Sequence, residues 1–136
     1  MITGWFFAFY RPWRDWHGLF GHVEAYGCDE NRSWVFVDPR STGLQITCLY
    51  KFEDVEDAIT LINQRSNSIL WLPNSTGEFR LPAYGPMTCA AVCGSLVGLR
   101  ALSVGGLHRK LLAKGAEVVH GQGSEGRPAR QGGATA

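Results

Sequence analysis

The alternation of apolar and polar positions divides the chain into a strand-rich first half and a helix-rich second half. "TGWFFAFYR" (3–11) is apolar on both of its alternating sets, the pattern of a strand covered on two faces. "RPWRDW" (11–16) follows as a turn or edge segment, because Pro12 cannot donate to a ladder. "GLFGHVEAYG" (18–27) and "SWVFVDP" (33–39) read as two further strands. The polar cluster "CDENR" (28–32) joins them, which is the signature of a hairpin. "GLQITCLY" (43–50) predicts a fourth strand.

The period then changes. In "KFEDVEDAITLINQR" (51–65), Val55, Ala58, Ile59 and Ile62 fall on one face of a helix. Its acids crowd the first turn, where the helix dipole favours them, so "EDVED" reads as a solvated helix start. "SILWLP" (68–73) is a short strand, "NSTGE" (74–78) a loop, and "FRLPAYGP" (79–86) an extended segment limited by its prolines. A helix is expected from Thr88 to Leu102, with Thr88 as its N-cap. It is apolar over most of its circumference and should be buried on most sides, with Gly94 and Gly98 admitting a second backbone at close range. "GLHRKLLAKGAEVV" (106–119) predicts a last helix stopped by Gly115, then a short strand. The expected fold class is α+β, an antiparallel sheet packed against a buried helix. One domain spans residues 1–120, and residues 121–136 form a flexible, Gly-rich tail.

Composition narrows the function classes. With 136 residues, 45% hydrophobic and 18% charged, the chain suits one globular domain with a real core. A net charge of +1 argues against a strongly basic nucleic-acid binder. The acidic excess of residues 1–80 and the basic excess of residues 81–136 read as solvated faces and a basic tail. The charge-free run from Met87 ends at Arg100, well short of the roughly 18–20 residues a membrane span requires. Four cysteines at 28, 48, 89 and 93 form no Cys-x-x-Cys pair, and the N-terminus has no positive leader region. Free thiols in a reducing, cytoplasmic setting are therefore expected, with Cys28 and Cys48 as packing residues and no cofactor or metal required.

One cysteine is placed for chemistry. Cys89 follows the capping Thr88, and a helix N-terminus lowers a thiol's pKa and supplies N–H groups for an oxyanion. Cys93 lies one turn deeper, where that help fades. A cysteine nucleophile needs a base, and the base an orienting group. Of the four histidines, His17 falls in a loop, His108 in a Lys/Arg-rich helical stretch and His120 at the edge of the tail. His22 alone lies in a predicted strand among small and apolar residues. Asp38 ends the neighbouring strand of the proposed hairpin, so pairing across the turn can bring it beside His22.

At these residues a resemblance emerges. "GHVEAYGCDENRSWVFVDP" resembles the His-bearing hairpin of the NlpC-type cell-wall cysteine peptidases, a papain-like family, and "TCAAVCGSLVGL" is similar to their nucleophile helix. The order His, polar residue, Cys resembles the circularly permuted branch that includes the lecithin:retinol acyltransferase-like proteins, and small phage-encoded proteins share such a layout. The resemblance covers about residues 18–40 and 86–100. It implies a permuted papain-like core with Cys89 as nucleophile, His22 as base and Asp38 as the orienting group. The implied activity is hydrolysis of an amide bond, with cell-wall peptide as substrate. The thiolate would attack the carbonyl, and water or another acceptor would resolve the thioester.

Two other classes fit parts of the sequence. His22-Val-Glu24 with Cys89 and Cys93 offers the residue types of a zinc-dependent deaminase, but three residues separate the cysteines instead of two, and zinc geometry is strict. The non-enzymatic alternative is a structural or adaptor component of a phage particle, virion-associated, with a papain-like fold. Part of its aromatic N-terminus (Trp5, Phe6, Phe7, Phe9, Tyr10, Trp13, Trp16) would then form a partner surface. Core packing is the ordinary fate of such residues.

Overall fold

The computed structural model describes residues 2–11, 20–40, 42–73 and 88–121. Among them, strands β1 (Gly4–Tyr10), β2 (His22–Cys28), β3 (Trp34–Arg40) and β4 (Gly43–Leu49) precede helix α1 (Phe52–Arg65). Strand β5 (Ser68–Pro73), helices α2 (Cys89–Ser95) and α3 (Val104–Ala113) and strand β6 (Glu117–Gly121) complete the order. The six strands form one antiparallel sheet in the order β4-β3-β2-β1-β5-β6, so the fold is mixed α and β as expected.

The apolar run of β1 has its reason in this order. β1 lies inside the sheet, between β2 and β5, with helices on both faces. Ala8, Tyr26, Phe36 and Ile69 are buried against Ile62 of α1, and Phe6, Trp34, Ala58 and Ile59 pack around them. Rings stack across the strands here, with Phe6 at 4.9 Å from Tyr26 and 4.4 Å from Trp71. On the other face, Trp5, Phe7, Phe9, Val23 and Val37 meet Ala90, Val92 and Cys93 of α2 and Leu107 and Leu111 of α3. Phe7 and Phe9 are both 0% exposed, and truncating a phenylalanine so placed to alanine costs about 3–5 kcal/mol. Of the N-terminal aromatics, Trp5, Phe7 and Phe9 are therefore core, Phe6 and Tyr10 are half-buried, and Trp13 and Trp16 lie outside the described residues.

The β2–β3 turn is wound around one side chain. Asp29 Oδ1 accepts from the N–H groups of Asn31 and Ser33, each at 2.9 Å, and Arg32 sits at φ 64° to close the turn. That local device sets the register in which Cys28 faces Trp34 and Ala25 faces Val37. The face expected for α1 is also observed: Val55 and Ile62 are buried, Ala58 and Ile59 half-buried, and Glu53, Asp54, Glu56 and Asp57 exposed.

Several expectations need correction. The helix expected to reach Leu102 ends at Ser95, and Leu102 is 99% exposed. Gly98 at φ 73° turns the chain, and the Leu99 N–H returns to the Gly94 carbonyl at 2.9 Å, a left-handed helix stop that apolar composition conceals. Close approach does occur at Gly94, yet the backbone involved is the helix's own exit, since an added Cβ would lie 2.7 Å from the Leu99 carbonyl oxygen. α3 begins at Val104, two residues before the expected start, because Ser103 caps it by accepting from the Gly106 N–H. Gly115 ends it at φ 105°, as expected. β2 starts at His22, so residues 20–21 precede the strand. Gly121 belongs to β6, and the rest of the expected tail lies outside the described residues, as do the segments 12–19 and 74–87. Cys48, expected to be a packing residue, is instead exposed on edge strand β4.

The crowding at Gly94 is open to measurement. Gly94→Ala is expected to cost on the order of 1–3 kcal/mol, read as a lower urea midpoint with an unchanged slope.

Candidate active site

The site is made where the sheet comes apart. β2 remains paired to β1 down to His22, and β3 to β4 down to Arg40, but the ladder between β2 and β3 stops at Ala25 and Val37. Pro39, just beyond, has no N–H to offer a neighbour. Continued in register, the two strands would set Asp38 opposite Glu24 and Arg40 opposite His22. They diverge instead, and α2 packs over β2 and β3 at that place.

The divergence leaves Val23 with work for its backbone. Phe9, its partner on β1, accepts from the Asn67 N–H and so turns its polar groups toward β5. In an antiparallel pair, facing residues exchange both hydrogen bonds or neither, so Val23 turns its own N–H and C=O toward the side that β3 has vacated. The two cysteines of α2 meet them there. The Val23 N–H donates to the Cys89 sulfur, and the Cys93 thiol donates to the Val23 carbonyl at 3.7 Å. Residues four apart share a helix face, which is why one backbone unit engages both.

His22, Asp38 and Cys89 meet at this point. His22 Nε2 lies 2.8 Å from Asp38 Oδ1, and the Cys89 thiol is hydrogen-bonded to the same imidazole. With Nε2 engaged by Asp38, Nδ1 is the ring atom left to face sulfur. Arg40 Nε donates to the other Asp38 oxygen at 2.6 Å. The result is a chain Arg40–Asp38–His22–Cys89, with His22 33% and Asp38 14% exposed. These groups line a cavity of about 670 Å³, together with Tyr10, Glu24, Arg65 and Thr88.

The electrostatics follow from those contacts. Hydrogen bonds from His22 to Asp38, then to Cys89, push the imidazole up to about 9 against the opposing effect of burial. Its bond to His22 holds the Asp38 carboxyl below the usual range, helped by Arg40 and opposed by burial. Burial pushes the Cys89 thiol up, but His22 and the N–H groups of Val23 and Ala90 outweigh it and leave the thiol below its ordinary value. Both shifts favour the thiolate–imidazolium pair over the neutral thiol and imidazole. Cys93 is the opposite case: 0% exposed and held well above the ordinary thiol range by burial.

The remaining predicted residues lie elsewhere. His108 is buried in the core, 3.2 Å from Ser68 Oγ and packed against Phe9 and Phe20, and burial lowers its pKa. His120 is exposed on β6, and His17 lies outside the described residues. Cys93 does not line the cavity, so it does not join His22 and Glu24 there as the deaminase pattern would require. His22, Glu24 and Asp38 do offer three possible ligand atoms within 4.8 Å of one another. Glu24 enters the sequence reading only through the deaminase pattern, and Arg40, Tyr10 and Arg65 are not expected there as parts of this site. For Arg40 and Glu24 a signal existed: each stands two residues from a predicted site residue on the same strand, and therefore on its face.

Comparison with protein-family models, with curated proteins and with solved structures found no match to this chain. No helix among the described residues is long and apolar enough to cross a membrane.

The sign of the coupling fixes a pH profile. Iodoacetamide should alkylate Cys89 with an inflection below that of an ordinary thiol, because His22 keeps its proton until the pH rises through about 9. His22→Ala should move that inflection upward. Cys93 should label only on unfolding, which mass spectrometry of alkylated peptides will read directly.

Proposed function

We propose that the protein is a cysteine-dependent hydrolase of amide bonds, built on a permuted papain-like core. The observation that carries this reading is the placement of one imidazole between the Asp38 carboxylate and the Cys89 thiol, on the wall of a cavity large enough for a peptide segment. Structural thiols are neutralised by burial, as Cys93 is, whereas Cys89 is paired with a cationic ring and receives two backbone N–H bonds.

The mechanism uses each group once per half-reaction. The Cys89 thiolate attacks the substrate carbonyl carbon, and N–H groups at the opening of α2 face the developing oxyanion. His22 passes its proton to the departing amine as the C–N bond breaks, leaving a thioester on Cys89. Water, deprotonated by the now neutral His22, attacks the thioester. The acid leaves, and the proton returns the site to the ion pair. Asp38 holds the ring through Nε2 and stabilises its charged form, and Arg40 fixes Asp38 in turn.

Cell-wall peptide is the proposed substrate class, on the resemblance of residues 18–40 and 86–100 to the NlpC-type peptidases. The free state of all four cysteines is compatible with thiol chemistry in a reducing environment. An adaptor role gains little support, since the described N-terminal aromatics are buried or half-buried.

Incubation with solubilised cell-wall peptides, followed by mass spectrometry of new amine and carboxyl ends, tests the reading. Cys89→Ala should abolish turnover with its melting temperature little changed, and His22→Ala should reduce the rate by roughly 10²–10⁴-fold. Full activity in Cys89→Ala would overturn it.

A further inference from the structure

One carboxylate in the cavity has no part in the relay. Glu24 stands two residues along β2 from His22, on the same face of the strand, and lines the same cavity as Cys89. It is half-buried, and its side-chain donor is the Tyr10 hydroxyl. The ion pairs of this cavity among the described residues are His22–Asp38 and Arg40–Asp38, and neither includes Glu24. The charges of the relay therefore balance one another: the Cys89 thiolate with the imidazolium, and Asp38 with Arg40. Glu24 is left as a partly desolvated carboxylate outside those ion pairs, with the His22 and Arg40 charges acting on it only at longer range. Burial, then the nearby Asp38 charge, pushes its pKa up, against the opposing effects of the Tyr10 hydrogen bond and the His22 and Arg40 charges. Arg65, at the exposed end of α1, lines the cavity without pairing to it, and an exposed charge is well screened.

We infer that Glu24, oriented by Tyr10, is the subsite for an ammonium group on the substrate, next to the carbonyl that Cys89 attacks. Two residues along a strand cover about 7 Å, so the recognised charge belongs to the residue bearing the scissile bond or its immediate neighbour. A divalent ion fits less well. To use His22, Glu24 and Asp38 together it must displace the His22–Asp38 bond and compete with Arg40, whereas an ammonium group can meet Glu24 with the relay intact. This inference rests on Cys89 being the nucleophile.

The test uses three peptidyl acyloxymethyl ketones that differ only in the side chain beside the reactive carbon: an ammonium, a neutral isostere and a carboxylate. Second-order labelling of Cys89 is followed by intact mass with EDTA present, and each rate is divided by the same variant's rate with iodoacetamide. The cationic probe should exceed the neutral one by about tenfold, the scale of one charge-assisted hydrogen bond, and the anionic probe should be slowest. In Glu24→Gln the three should converge. Equal labelling by the cationic and neutral probes of the unaltered protein overturns the subsite, whatever the variant's stability, and so does a cationic preference that survives Glu24→Gln. If Cys89 reacts no faster than exposed Cys48 with any reagent, the nucleophile reading itself falls, and the subsite with it.

Discussion

A short stretch of unpaired backbone organises this molecule. Where β2 and β3 part beyond Ala25 and Val37, Val23 exposes an N–H and a C=O that a continuous sheet would have satisfied. Leaving two such groups buried and unmet would cost on the order of 1–3 kcal/mol each. α2 meets both with sulfur, through Cys89 and Cys93. The same gap that demands those partners gives Cys89 a route to His22, so the break in the ladder and the activation of the thiol have one cause.

The two cysteines show how far position outweighs residue type. They lie on one face of a seven-residue helix and bond to the same residue. Cys93 receives no N–H and no cation, lies in the core beside Val92 and Leu107, and is held in its neutral form. Cys89, one turn earlier, is at the mouth of the helix with an imidazole and two N–H groups around it. The dipole contributes over the first turn only, and the surrounding donors supply the rest.

Much of this was legible in the residues. The hairpin from His22 to Asp38 depends on alternation and a polar turn, both local, so the proximity of the imidazole and the carboxylate could be read without tertiary information. Thr88 as a cap was equally local, and its hydroxyl does accept from the Ala91 N–H at 3.1 Å. The length of α2 was not legible. Leu96, Val97 and Leu99 continue an apolar pattern, while the left-handed conformation of Gly98 that ends the helix leaves no mark beyond a glycine. The parting of β2 from β3 was less legible still, because it requires α2 in place; Pro39 was its one local hint. Arg65 reaches the cavity from the far end of α1 through packing that no short window encodes.

The hairpin's local origin has a consequence for how the site assembles. His22 and Asp38 are 16 residues apart and can find each other as soon as the turn around Asp29 closes. The sulfur comes from far along the chain and joins them only when a short helix settles on the sheet, a contact of high loop-closure entropy. A nascent or partly unfolded chain thus holds an oriented imidazole with nothing to activate, alongside a thiol of ordinary reactivity. The lowered pKa of the Cys89 thiol is therefore a property of the docked helix and not of the local sequence around it.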